Sequence, residues 1–114
     1  MLKYTKKKGI LLKMSMFVII STYKKNLDEV DKKREEHLAY VKNFILSGKF
    51  LVVGRKNPID GAVIIAHNVT KKELEEIFEN DPYYMNGLAE YAITEFNPAS
   101  FANGLKDILE KLKK

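Results

Sequence analysis

The sequence predicts an α+β domain whose four strands and two main helices run in the order β-α-β-β-α-β, with one more helix at the C-terminus. Three observations point there. Short β-rich apolar runs alternate with segments whose apolar residues recur every three or four positions. Glycine and proline mostly stand between those segments, where the chain must reverse. A chain of 114 residues, 46% apolar and 31% charged, has material for one continuous core rather than two, and is too apolar for disorder.

Each element has its own signal. Met16 to Tyr23 (MFVIISTY) is β-rich and bounded by Lys24, Lys25 and Asn26, so it reads as the first strand. From about Asp28 to Ser47 the period becomes helical, with Val30, His37, Leu38, Val41, Phe44 and Ile45 on the repeat, and Gly48 closes the helix. Phe50 to Gly54 is the second strand. Asn57-Pro58-Ile59-Asp60-Gly61 is a turn, and Ala62 to His67 is the third strand. Thr70 with Glu73 three residues later forms a capping box, opening a helix whose buried stripe is Leu74, Ile77 and Phe78. Asp81 caps a short turn that starts at Pro82 and ends at Gly87. Leu88 to Phe96 is the fourth strand, and Phe101, Leu105, Ile108, Leu109 and Leu112 describe an amphipathic terminal helix. The order is the ferredoxin-like split arrangement.

The strands carry apolar residues on both parities, Phe17 and Ile19 against Val18 and Ile20, and Val63 and Ile65 against Ile64. One helix layer covers only one face, so a homodimer joined through sheet faces is expected.

The net charge of +5 is local. Lys3, Lys6, Lys7, Lys8 and Lys13 lie in residues 1–15 without any acid, which leaves fifteen basic against fifteen acidic residues elsewhere. A neutral body lacks the electrostatic footprint of nucleic-acid binding, so no such partner is expected. Lys13 interrupts Ile10-Leu11-Leu12 after three apolar residues, which is too short for a secretory signal, and no window is long enough for a membrane span. Residues 1–15 are therefore expected to be a basic, loosely packed extension and residues 16–114 the domain. The absence of cysteine excludes disulfides, thiolate metal sites and cysteine nucleophiles, and fits a reducing compartment, the cytoplasm.

There is no glycine-rich phosphate loop, GxSxG, HExxH or metal-spaced cluster, so neither cofactor nor metal is expected. His37 lies on the helical stripe that faces the sheet. It is either a core histidine satisfied by one hydrogen bond or a general acid or base in a cleft between helix and sheet. Arg34, one turn earlier on that face, binds an anionic small molecule or covers apolar surface with its stem. His67 shares the parity of Val63 and Ile65 and is expected at the rim of the core as an edge residue. Tyr83, Tyr84 and Tyr91 are candidates for pocket wall or dimer packing.

These residues also carry a family pattern. Arg34-Glu35-Glu36-His37-Leu38, then Gly48 to Gly54, Asp60 to Ile65, and Asp81-Pro82-Tyr83 with Gly87 resemble the YciI-like proteins of the dimeric α/β-barrel superfamily from about Met16 to Pro98. The resemblance implies a ferredoxin-like subunit that forms a dimeric α/β barrel, and a His and Asp pair in a cleft, here His37 and Asp81. It implies lyase or dehalogenase-like chemistry on small cyclic or aromatic compounds. Arg55 follows Gly54 where the family usually has a proline. The expected enzyme needs no cofactor: His37 moves a proton, Asp81 orients it, and Arg34, Arg55 and Tyr83 bind the substrate. The alternative is a non-catalytic ligand-binding or accessory module of the same fold.

Overall fold

The main sheet has four antiparallel strands, and their order follows from where the apolar residues must go. The structure is a computed structural model that describes residues 5–7, 10–12 and 15–112, the first two groups by backbone alone. In chain order, β1 (Thr5–Lys7) and β2 (Ile10–Leu12) pair antiparallel as a two-stranded sheet of their own. The rest of the expected 1–15 extension, Ser15 apart, lies outside the described residues. The main sheet comprises β3 (Met16–Tyr23), β4 (Phe50–Arg55), β5 (Gly61–His67) and β6 (Ala89–Phe96) in spatial order β4-β5-β3-β6. That is the ferredoxin-like arrangement expected from the sequence.

Register decides the faces. Phe17 pairs with Ala66, Ile19 with Ile64 and Ile93, and Ser21 with Tyr91, and directly opposed residues point to the same side. These side chains meet the helices in a core completed by Val41, Phe50, Leu74 and Phe78. The opposite parity, Val18, Ile20, Val52, Val63 and Ile65, forms the other face; Ile20 stays 37% exposed and Val52 61%.

The expected first helix is two helices. α1 (Leu27–Lys32) is capped by Asn26, whose side chain accepts from the Glu29 amide, and α2 (Arg34–Leu46) follows a break at Lys33. Val30, His37 and Val41 are buried as the stripe requires, but Leu38 and Ile45 are exposed, each lying about 100° further round the helix than the neighbour before it, the buried His37 and the half-buried Phe44. Gly48 takes φ +81°, and a Cβ there would meet the Leu112 carbonyl oxygen at 2.5 Å, so glycine is needed for both backbone and space.

α3 (Lys71–Glu79) begins with the complete capping box: Glu73 N donates to Thr70 Oγ1 at 3.0 Å, and Thr70 N to Glu73 Oε1 at 2.8 Å. α4 (Pro82–Met85) has Asp81 as its cap and Pro82 in its first turn. α5 (Leu105–Lys111) is shorter than the apolar series implied, since Gly104 precedes it in a left-handed conformation, and Leu109 is its buried residue. The expectation for His67 is corrected. Ile64 and Ala66, not Val63 and Ile65, face the helices, and His67 is buried with Nε2 2.8 Å from the Gly48 carbonyl oxygen. A strand end docked under the α2–β4 turn is covered, whatever its parity.

Candidate functional site

At the end of the sheet where β3 finishes and β6 begins, Val30, Tyr83, Leu88 and Ala89 form a second apolar cluster with Tyr23 against it. α2 brings His37 to this cluster, and the turn into α4 brings Asp81. His37 Nδ1 lies 2.8 Å from Asp81 Oδ1, across 44 positions of sequence. Both are buried, Asp81 at 1% exposure and His37 at 8%.

Asp81 is held by three donors. Its Oδ1 also accepts the Tyr83 backbone N–H at 2.8 Å, which is the helix cap, and its Oδ2 accepts the Tyr91 hydroxyl at 2.8 Å. A buried carboxylate is tolerable when its lone pairs are satisfied in this way. Because Tyr91 and the Tyr83 amide fix the carboxylate, Oδ1 can only accept from an Nδ1–H of His37. That places the unprotonated, proton-accepting nitrogen at Nε2 in the neutral ring. Nε2 has no protein partner among the described residues and is not sealed from solvent. The Tyr83 ring stacks on the imidazole with centroids 3.8 Å apart and planes 6° from parallel, so tilt and rotation of His37 are both restricted.

Of the three clustered tyrosines, Tyr91 is the one that reaches the carboxylate. It pairs with Ser21 on the helix-facing side and reaches Asp81, while Tyr84 is largely exposed. Burial first, then the Asp81 charge and hydrogen bond, push the Tyr91 phenol well above its ordinary value. Tyr83 is also pushed up, by burial and then by Tyr23, while the Arg55 and Arg34 charges pull the other way.

Arg55 closes the site from β4. Its Nε donates to the Tyr23 hydroxyl at 3.2 Å, and its terminal nitrogen is paired with Asp31 of α1. The guanidinium stands beside the Tyr83 hydroxyl without making a hydrogen bond of normal geometry. Arg34 is half-buried at the start of α2 and has no carboxylate partner among the described residues. Thus His37, Asp81, Tyr83 and Arg55 converge, and Arg34 lies near enough for its charge to act on Tyr83. Two buried hydroxyls, Ser21 Oγ and Tyr83 Oη, have no hydrogen-bond partner of normal geometry among the described residues. Among the described residues, no group of three or more His, Asp or Glu is placed to hold a metal ion, and no helix is long and apolar enough to cross a membrane.

The ferredoxin-like subunit is the one expected of a YciI-like protein. The YCII-related domain model matches residues 15–97, and the chain belongs to that family. No curated protein matches the chain. Among solved structures, it is similar to the 5-chloro-2-hydroxyhydroquinone dehydrochlorinase TftG of Burkholderia phenoliruptrix AC1100, in complex with 2,5-dihydroxybenzoquinone. The TM-score is 0.61 at 21% identity, over 75% of this chain and 95% of that one. The likeness supports the α+β ferredoxin-like fold.

Proposed function

We propose that the protein is a cofactor-independent enzyme that uses His37 and Asp81 for acid/base chemistry on a small cyclic compound, in the manner of a lyase or dehydrohalogenase. The observation that carries this reading is the pairing of His37 Nδ1 with a fully held Asp81, which leaves Nε2 as the free base. Nε2 takes a proton from the substrate. The electron pair left behind shifts through the substrate and expels the leaving group as an anion, chloride in a chlorinated compound. Asp81 stabilises the imidazolium formed in that step, as a carboxylate in contact does. Arg34, Arg55 and Tyr83 bind the substrate. The dehydrochlorinase likeness and the family membership favour this direction of chemistry.

The reading extends to partners and place. The apolar second face of the sheet supports a homodimer joined through the sheets. Residues 1–15 are read as an extension dispensable for folding, a boundary supported by the family match, which begins at residue 15. The lack of cysteine supports a cytoplasmic location.

Chloride release from a panel of chlorinated hydroquinones and hydroxyquinols tests the reaction. The expected result is turnover that falls on the order of 100-fold in His37→Gln, the scale of a lost general base. Absence of turnover across the panel, or turnover that survives in His37→Gln, returns the fold to a ligand-binding or accessory module.

A further inference from the structure

The Tyr83 hydroxyl is buried beside the Arg55 guanidinium yet makes no hydrogen bond of normal geometry among the described residues, and a buried polar group left so costs stability. Nothing in the packing calls for it, since a phenylalanine would stack on His37 equally well. Its surroundings are cationic. Arg55 stands beside it, Arg34 acts on it from the start of α2, and Tyr23 packs edge-on at 5.8 Å. The Tyr23 oxygen accepts from Arg55 Nε, so its own proton is available to donate. Three donor groups thus meet at one place, the Tyr83 and Tyr23 hydroxyls and the Arg55 guanidinium, with the Arg34 charge in the neighbourhood, and the carboxylate that answers them, Asp31, pairs with Arg55 from the exposed side of α1.

We propose that Asp31 is an internal stand-in for an anionic oxygen of the ligand, which displaces it from Arg55 and takes the hydrogen bond of the Tyr83 hydroxyl. The ligand class is a small molecule with a carboxylate or phenolate oxygen beside the group that meets His37. This deepens the proposed function and rests on it for the position of the reacting proton. The binding chemistry stands apart from turnover. The Asp31 carboxylate is itself exposed, so its attraction to Arg55 is screened and it can be exchanged, whereas an anion that also engages a buried hydroxyl gains charge-assisted bonds shielded from water.

Titration calorimetry on the full chain, in mildly alkaline buffer, tests this with three ring compounds: 4-nitrophenolate, benzoate and uncharged nitrobenzene. The expected result is that at least one anion binds and nitrobenzene binds at least tenfold more weakly; which anion wins tells phenolate from carboxylate. Asp31→Asn removes the competitor and tightens the preferred anion about tenfold. Tyr83→Phe, which loses only the orphan hydroxyl and keeps the stack, weakens it about tenfold. No anion binding, nitrobenzene binding as tightly as the anions, or a Kd unchanged in either variant overturns the proposal. Anion binding with these responses but without chloride release would keep the subsite and remove the enzyme reading.

Discussion

Asp81 Oδ1 lies 2.8 Å from His37 Nδ1, and the same oxygen caps α4 through the Tyr83 amide. One carboxylate oxygen therefore sets both the course of the chain and the orientation of the imidazole. The first prediction is that the nitrogen-15 spectrum of neutral His37 shows the proton on Nδ1. Asp81→Asn keeps a side chain able to cap, but its amide nitrogen then faces the Tyr91 oxygen and leaves the phenol proton without an acceptor. That variant should lose about 1–3 kcal/mol of stability and show a mixed tautomer. A proton found on Nε2 in the wild type would remove the base from the proposed reaction.

Tyr91 gives the second prediction, whose two parts have opposite signs. Tyr91→Phe strips Oδ2 of its donor inside the core, so stability at neutral pH should fall by about 1–3 kcal/mol in urea denaturation. The phenol's folded pKa is raised above 10.0, so its contribution is complete below pH 10.0 and is lost as pH rises past that value, where the unfolded chain ionises and the folded one does not. The Phe variant should therefore lose stability less steeply above that pH. Tyr40 and Tyr83 are pushed the same way, chiefly by burial, and contribute to the slope that remains. An alkaline slope identical in both proteins would contradict the burial of this phenol.

How much of this was legible in the sequence depended on range. The Thr70 and Glu73 box and the Asp81-Pro82 cap are encoded within a few residues, and both stand as read. Period two places Tyr91 on a face with Ile93, yet nothing in that period tells that its hydroxyl reaches Asp81. The His37 and Asp81 pair spans 44 positions and entered through the family pattern, not through spacing. The break at Lys33 was hidden because lysine and arginine are good helix formers, and no local signal marks the position where the backbone departs from the helix. His67 shows the limit of parity at a strand end, where the neighbouring turn decides burial.

The third prediction concerns the capping box. Thr70→Ala should cost about 1 kcal/mol, because it leaves an amide at the start of α3 without its acceptor. The Thr70 backbone N–H holds the Glu73 carboxyl below its ordinary 4.5. Its contribution is present above that value and is lost as pH falls through the lowered folded value, so acid should weaken α3. Glu73→Gln, which can still accept from that N–H but carries no charge, should flatten this acid dependence in thermal melts. Because Glu73 is exposed, the change is small.

The final prediction is the assembly. The helix-free face of the sheet presents Val18, Ile20, Val63 and Ile65 in register, with Val52 beside Ile65 on the outer strand and Phe96, 41% exposed, opposite Met16 at the other side. Apolar side chains aligned across four strands form the contiguous kind of surface that single soluble domains seldom leave in water. In the proposed homodimer a second sheet of the same kind would cover it with matching chemistry, since a two-fold axis makes the two patches identical. Light scattering at micromolar concentration should give twice the chain mass. Val52→Lys tests the face itself. Val52 is 61% exposed in one chain, so lysine there disturbs the fold of the subunit little, whereas in a sheet-to-sheet contact it brings a charge into an apolar layer. The variant should be a folded monomer with an unchanged circular dichroism spectrum. A wild-type monomer at that concentration, or a Val52→Lys dimer as tight as the parent, would place the contact elsewhere or abolish it.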